Sequence, residues 1–425
     1  MAILITGARV IDPASHTDAP LQILIEDGRI TRMAPSIAPP GGCGRIDAAG
    51  LVAAPGLVDM HVHLRDPGQT HKEDIFTGCR AAAAGGVTSL LCMPNTTPAV
   101  DTPETVAYIR EKSRTADARV YVCAAISRGL KGQEATDIPA LQRAGAVALS
   151  DDGRPVLSAS MMARAMRQAA GLSMAVTAHC EDLELANGAK MNEGDVSRSL
   201  GVPGDPNAAE DVGTAREIAL AAAYRVPVHV CHVSTKGSAA MIRAAKRDGV
   251  AVTAETCPHY LLLTDRALEK RDANFRMNPP LRTEEDRLAM IEALRDGTLD
   301  AISTDHAPHS PQEKADFLGA PNGSIGMETS FAASCTALVK TGVLTLSQLL
   351  EKMSLRPAQI LGIDAGRLYE GGPADIVLLD PGEEWVVNPD ALHGKSRNTP
   401  FAGMRLTGKV KATICAGRVV YRDGE

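Results

Sequence analysis

Apolar positions change their spacing twice along the chain, and the changes mark three stretches. Ala2 to Val10 is a β-branched run, followed by Leu21 to Ile25, an Asp27-Gly28 hairpin signal and Arg29-Ile30-Thr31. Pro39-Pro40-Gly41-Gly42 marks a loop. The C-terminal end has the same texture. Ala374 to Leu379 reads as a strand, and Val410 to Cys415 pairs with Arg418 to Tyr421 across Ala416-Gly417. Each β-rich end is too short to bury a core alone, so residues 1–54 and 366–425 are expected to build one composite β-sandwich domain.

The middle differs. Between residues 51 and 365, short β-branched runs alternate with longer stretches rich in Ala, Leu, Arg and Glu. Eight runs end near His63, Asn95, Ala125, Asp152, His179, His232, Thr256 and Asp305. Helical spacing falls between most of them, at Ser158–Ala170, Thr235–Arg247 and Thr283–Arg295. Another helix covers Asn207–Arg225, with Asp205 expected as N-cap and Pro206 at the first helical position. Eight strand–helix units predict an α/β fold, a TIM-type (β/α)8 barrel over residues 55–365.

Composition narrows the function. The chain has 425 residues, 44% hydrophobic and 22% charged, an ordinary globular balance that excludes a disordered protein. Forty-four Lys and Arg against 51 Asp and Glu leave a net charge of −7, and aromatics make up only 3%, so no nucleic-acid partner is expected. No apolar run is long enough to span a membrane, and the N-terminus reads as a strand rather than a signal peptide. The nine Cys are scattered without a C-x-x-C, which disfavours thiolate zinc sites and a disulfide framework. A cytoplasmic protein without a membrane partner is therefore expected.

Barrel enzymes work at the C-terminal ends of their strands. Here those ends read Asp59-Met60-His61-Val62-His63-Leu64-Arg65, Ser150-Asp151-Asp152, Ala178-His179-Cys180-Glu181, Cys231-His232-Val233 and Thr304-Asp305-His306. Strand side chains alternate faces, so His61, His63 and Arg65 point one way, with Met60, Val62 and Leu64 expected against the helices. One H-x-H pair decides little. Five polar strand ends decide more, because burying that many polar groups in one cup without a cation is costly. The N/O donor set suits Zn²⁺, with Mn²⁺, Co²⁺ or Fe²⁺ as alternatives.

Taken together, His61-Val62-His63-Leu64-Arg65-Asp66-Pro67-Gly68, Met93-Pro94-Asn95-Thr96, Asp151-Asp152-Gly153, His179-Cys180-Glu181-Asp182, Cys231-His232-Val233-Ser234, Asn278-Pro279-Pro280 and Thr304-Asp305-His306-Ala307-Pro308-His309 resemble the amidohydrolase superfamily, and specifically class I dihydroorotases. The resemblance runs to Asn398-Thr399-Pro400-Phe401.

It implies two Zn²⁺ per chain, one held by His61, His63 and Asp305, the other by His179 and His232, with Asp152 bridging. Many relatives bridge with a carboxylated Lys, which this strand end lacks. Two such metals share a water and lower its pKa. The implied reaction is the reversible closure of N-carbamoyl-L-aspartate to L-dihydroorotate in pyrimidine biosynthesis, with Asp305 as general acid and base. Implied substrate contacts are His63, Arg65, Asn95, Asn278, His309, and Asn322 with Gly323, in a polar loop over residues 310–325. Relatives often carry Phe where this chain has Asn322. A homodimer and a complex with aspartate carbamoyltransferase are the implied partners.

Two other readings stand beside this one: an allantoinase- or hydantoinase-type cyclic amidohydrolase, and a non-catalytic scaffold for aspartate carbamoyltransferase. Asp152 and Arg65 argue against the first, and the full ligand set argues against the second. Among the remaining residues, His71 and Lys72 are read as solvated, His229 as facing the helices, and His16 and His393 as remote from the cup. His259 stands between a supporting and a structural role, and Met161, Met162 and Met166 lie at core spacing on a helix.

Overall fold

The computed structural model describes residues 2–424. Eight parallel strands form its central sheet: Leu57–Val62, Val87–Cys92, Arg119–Ala124, Ala146–Leu149, Ala175–Ala178, Val228–Val230, Val252–Thr256 and Ala301–Ile302. Each lies beside its neighbour in chain order. The eight runs read from the sequence end within three residues of these strands. A parallel bridge between Val62 and His306 joins the eighth unit to the first. There the His63 amide donates to the His306 carbonyl at 2.8 Å. Below it, the Thr304 amide (3.1 Å) and hydroxyl (2.6 Å) donate to the Asp59 carboxylate. The sheet is thus a closed barrel, and Asp59 helps to seal it.

Helices cover the outside because the intervening segments are amphipathic and well capped. Ala159–Gly171, Lys236–Arg247 and Glu284–Arg295 start one residue after Ser158, Thr235 and Thr283, whose hydroxyls accept the first free amides. Asn207–Tyr224 departs from expectation. Pro206 is its N-cap, and Asp205 is instead drawn to Arg282 Nη2 at 3.2 Å. The main core lies between strands and helices and includes Val62, Leu64, Met161, Met162 and Met166. Met60, expected outside, joins Leu91, Met93, Cys123, Ala148 and Ala301 in a separate inner cluster. Strand pairing shifts register between Asp59 and Val62, which breaks the strict alternation.

The two chain ends meet in a β-sandwich. One sheet holds Ala2–Thr6, Gln22–Glu26, Arg29–Ala34 and Gly44–Asp47; the other interleaves Arg9–Asp12, Thr17–Pro20 and Val52–Pro55 with Ile376–Val386, Arg405–Cys415 and Arg418–Arg422. Ile5, Ile23 and Ile25 from one face and Val10, Ile376 and Ile414 from the other share one buried cluster. The Asp27-Gly28 and Ala416-Gly417 turns take positive φ as expected of tight hairpins, and a Cβ on Gly417 would lie 2.6 Å from Gly28 Cα. Residues 388–404 leave this sandwich and run along the barrel, where Phe401, with Val387 just before the segment, packs against Ala332 and Ala333. Among the described residues, no helix is long and apolar enough to cross a membrane.

Candidate active site

Four imidazoles and two carboxylates converge where the barrel strands end. His61 Nε2 lies 3.2 Å from Asp152 Oδ1 and 3.6 Å from Asp305 Oδ1. His63 Nε2 lies 3.0 Å from Asp305 Oδ1 and 3.5 Å from Asp152 Oδ2. On the other side, His179 Nδ1 and His232 Nε2 stand 3.6 and 3.7 Å from Asp152 Oδ1 and 2.9 Å from each other. Asp152 therefore sits between the two histidine pairs. Asp151 points away, accepting from the Ile126 (2.7 Å) and Ser127 (3.1 Å) amides.

All six side chains are buried. His61 Nε2 and Asp152 Oδ1, which face each other across the cup, have no hydrogen-bond partner among the described residues. Buried, unsatisfied lone pairs aimed into one cup are the feature a cation would resolve. The triads His61–Asp152–His232 and His61–His63–Asp305 each bring their ligand atoms within 4.8 Å of one another. The donor set, imidazole nitrogen with carboxylate oxygen, fits a divalent transition metal.

Local backbone geometry aims these groups. Arg65, His232 and Asp305 all have positive φ, 60°, 36° and 47°. Such strain in non-glycine residues concentrates at working sites. It also corrects the reading of His229. That residue was expected against the helices because it is out of phase with His232. The strand ends at Val230, and the turn at His232 re-aims its ring into the cup. His229 therefore stays inside the barrel as well, with Nε2 3.4 Å from Glu255 Oε2.

Above the cup lies a cavity of about 270 Å³ lined by His63, Arg65, Asn95, Asp152, Gly153, His179, Asn278, Asp305, Ala307, His309, Asn322 and Gly323. Every residue expected to contact substrate is in that wall. Asn95 bridges two of its parts: Oδ1 lies 2.8 Å from His63 Nδ1, and Nδ2 donates to Asp152 Oδ2 at 3.2 Å. Asn278 donates to Glu181 Oε2 at 3.2 Å, and the same oxygen lies 2.9 Å from His179 Nε2.

Charge in the wall is graded. Burial pushes the Arg65 guanidinium down to about 10, partly offset by Asp305 and Asp152, so it remains cationic at neutral pH. Its Nε donates to the Pro308 carbonyl at 3.2 Å. Burial, with the nearby cations Arg65, Lys314 and Lys72, lowers His309 to about 3. The neutral ring can then donate from Nε2 to the Asn322 carbonyl at 2.9 Å. Burial would raise Asp305, but the His63 contact and the charges of His61 and His63 outweigh it and lower the carboxyl.

The loop over residues 310–325 is braced from several sides. Arg276 Nη2 donates to Asn322 Oδ1 at 2.9 Å, so the departure from Phe at this position comes with its own partner. Lys314 Nζ donates to the carbonyls of Ala273 (2.9 Å) and Pro321 (2.9 Å). Lys72, read from sequence as solvated, is mostly covered and pairs with Glu313 at 2.8 Å. Asn398 donates to the Ala307 and Gly323 carbonyls, each at 3.1 Å, and accepts the His309 amide at 3.1 Å. Gly323 has φ 131°, and a Cβ there would lie 2.7 Å from Ala307 Cβ, so only glycine fits.

Sequence reasoning had not singled out the roles of Asn398, Glu255 or Arg276. Glu255 carried a readable signal, a charge in an otherwise apolar and hydroxyl-bearing strand, Val252–Thr256. Asn398 carried none beyond its place in the family resemblance.

Comparison with known proteins agrees with this geometry. Residues 50–238 match the dihydro-orotase-like family, and residues 288–421 match the amidohydrolase family. The dihydroorotase of Citrifermentans bemidjiense is 49% identical over 424 residues, spanning 99% of this chain and 100% of its own. That of Geobacter metallireducens matches to the same extent. The chain belongs to the dihydroorotase family. This family member is thus a hydrolase of the cyclic-amide class. Among solved structures, L-hydantoinase from Arthrobacter aurescens superposes with a TM-score of 0.89 at 24% identity, covering 100% of this chain and 96% of that one, a likeness of fold. D-hydantoinase from a Bacillus species gives 0.87 at 26% identity, covering 99% and 95%.

Proposed function

We propose that this dihydroorotase-family enzyme interconverts N-carbamoyl-L-aspartate and L-dihydroorotate at the barrel mouth. The observation that carries the reading is a cavity in which a buried Arg65 lines the same wall as four members of the His/Asp cup, His63, Asp152, His179 and Asp305. Two Zn²⁺ would be held by His61, His63 and Asp305 and by His179 and His232, with Asp152 shared. When bound, they would supply Lewis acidity at the amide carbonyl and a water of lowered pKa.

The chain's own groups do the rest. Arg65 presents a planar cation to the carboxylate that stays free in both substrate and product. Asn95, Asn278, His309 and the Asn322-Gly323 backbone fix the ring's edges. In the opening direction, Asp305 accepts a proton from the attacking water and delivers it to the departing ring nitrogen as the C–N bond breaks, and the new carboxyl group releases the water's second proton to solvent to become a carboxylate. Closure reverses each transfer and releases water. Asn95 Oδ1, 2.8 Å from His63 Nδ1, holds that imidazole with Nε2 turned toward Asp305 and the cup.

The deciding assay measures dihydroorotate opening, with hydantoin and allantoin as controls. Opening of dihydroorotate alone is expected; preference for the uncharged rings would favour a hydantoinase-type activity. Arg65→Lys is expected to raise KM for carbamoylaspartate by roughly tenfold with a smaller change in kcat, because the two-pronged contact is lost while the charge stays. An unchanged KM would remove Arg65 from the carboxylate site.

The family resemblance also supports a cytoplasmic location, a homodimer and association with aspartate carbamoyltransferase; mass measurement and co-purification test the last two. The folding units are proposed as 55–365 and the joined ends 1–54 and 366–425.

A further inference from the structure

Beneath the cavity, three polar groups that the proposed reaction does not use, Thr253, His229 and Glu255, form a line across the barrel interior to His61. Thr253 Oγ1 lies 2.9 Å from His229 Nδ1. His229 Nε2 lies 3.4 Å from Glu255 Oε2, and Glu255 Oε1 lies 3.4 Å from His61 Nδ1. His61 Nε2 then faces the Asp152 and Asp305 carboxylates. Glu255 and His61 are 0% exposed and His229 is 2% exposed.

Such a carboxylate is costly to bury unless its oxygens are matched. Other buried acids nearby collect several donors. Glu210, for example, takes the amides of Ser234 and Thr235 at 3.0 and 3.1 Å. Each Glu255 oxygen instead faces one imidazole.

We propose that Glu255 is a positioning residue, which fixes the His61 ring and tautomer so that Nε2 is the nitrogen offered to the cup. His229 and Thr253 hold the carboxylate from behind. This rests on the reading of His61 as a metal ligand.

The proton count closes. If the Thr253 hydroxyl donates to His229 Nδ1, the His229 Nε2–H is left for Glu255 Oε2. His61 Nδ1, His229 Nε2 and both Glu255 oxygens have no hydrogen-bond partner among the described residues; the proposed pairing assigns the His61 Nδ1–H to Glu255 Oε1 across 3.4 Å and leaves the His61 Nε2 lone pair free. Without an acceptor at Glu255, the His61 proton can move to Nε2, the ring can turn, and the donor is lost. A carboxylate behind a ligating imidazole sets both ring orientation and ligand basicity.

The test is zinc binding to the purified full chain, by competition with a chromophoric chelator. Glu255→Leu is expected to weaken one of two zinc sites by about 10- to 100-fold and to leave the other unchanged. Glu255→Gln is expected to stay within a few-fold of the parent. Its amide oxygen still accepts from His61, while His229 switches tautomer and donates to Thr253. A role in charge alone would instead make both neutral variants equally weak.

Parental zinc affinity in Glu255→Leu would overturn the proposal. So would equal loss at both sites together with a lowered apoprotein melting point. A third zinc per chain that disappears in Cys231→Ser would also overturn it, since Cys231, His61 and Glu255 are themselves close enough to share an ion. If Glu255→Leu does not fold, His229→Leu removes the carboxylate's support and is expected to show the same one-site loss at smaller size; no loss there overturns the proposal. His61→Ala separates the two levels. If it too keeps both sites, the ligand assignment has failed rather than the positioning role.

Discussion

Asp305→Asn is expected to lower kcat for dihydroorotate opening by about a thousandfold while leaving the fold intact. Asn keeps the size and one oxygen of Asp but has no site that takes up and returns a proton near neutral pH. Positioned acid–base groups contribute about 10²–10⁴ in rate, which sets the scale. Asp305 is suited to the role by its surroundings. Its carboxyl is held in the charged, proton-accepting form by His63 and His61 against the effect of burial. Its backbone, at φ 47°, commits it to the cup. Zinc content measured beside kcat separates proton handling from metal loss. A variant with two zincs per chain and near-parental kcat would take the proton-transfer role away from Asp305.

Stripping divalent metal with a chelator is expected to abolish turnover and to lower the melting point by several degrees, with both restored by zinc. The stability effect follows from the donor set. Asp152 and Asp305 are buried with four imidazoles, and His61 Nε2 and Asp152 Oδ1 have no hydrogen-bond partner among the described residues. A ligand bound only by the folded state, at a free concentration about a thousand times its Kd, contributes about 4 kcal/mol. Spread over a chain of this size, that is a shift of several degrees. Calorimetry of stripped and reloaded protein reads it directly. Undiminished activity in protein shown to be metal-free would refute the metal assignment.

The barrel and most of the cup were legible in the sequence for a physical reason. A polar residue at the end of an apolar strand breaks a pattern, and several such breaks one strand apart point at a common place. His61, His63, Asp152, His179, His232 and Asp305 all signalled themselves this way. What failed was alternation across an irregular backbone. His229 and Met60 were assigned to the wrong face, because positive φ at His232 and the register shift between Asp59 and Val62 are not written in residue type. Lys72 was misread because its partner, Glu313, lies in a loop distant in sequence. Asn398 was the least legible, since its three hydrogen bonds depend on where residues 388–404 return to the barrel.

That returning segment bears on how the chain can be recombined with its relatives. A crossover at residue 366 would look like a clean exchange of terminal strands. It would also transfer the amide that ties Ala307, His309 and Gly323 together. An incoming parent with different spacing at that point would inherit the cup intact and its rim unlaced, so residues 388–404 travel, for purposes of shuffling, with the strand ends they serve.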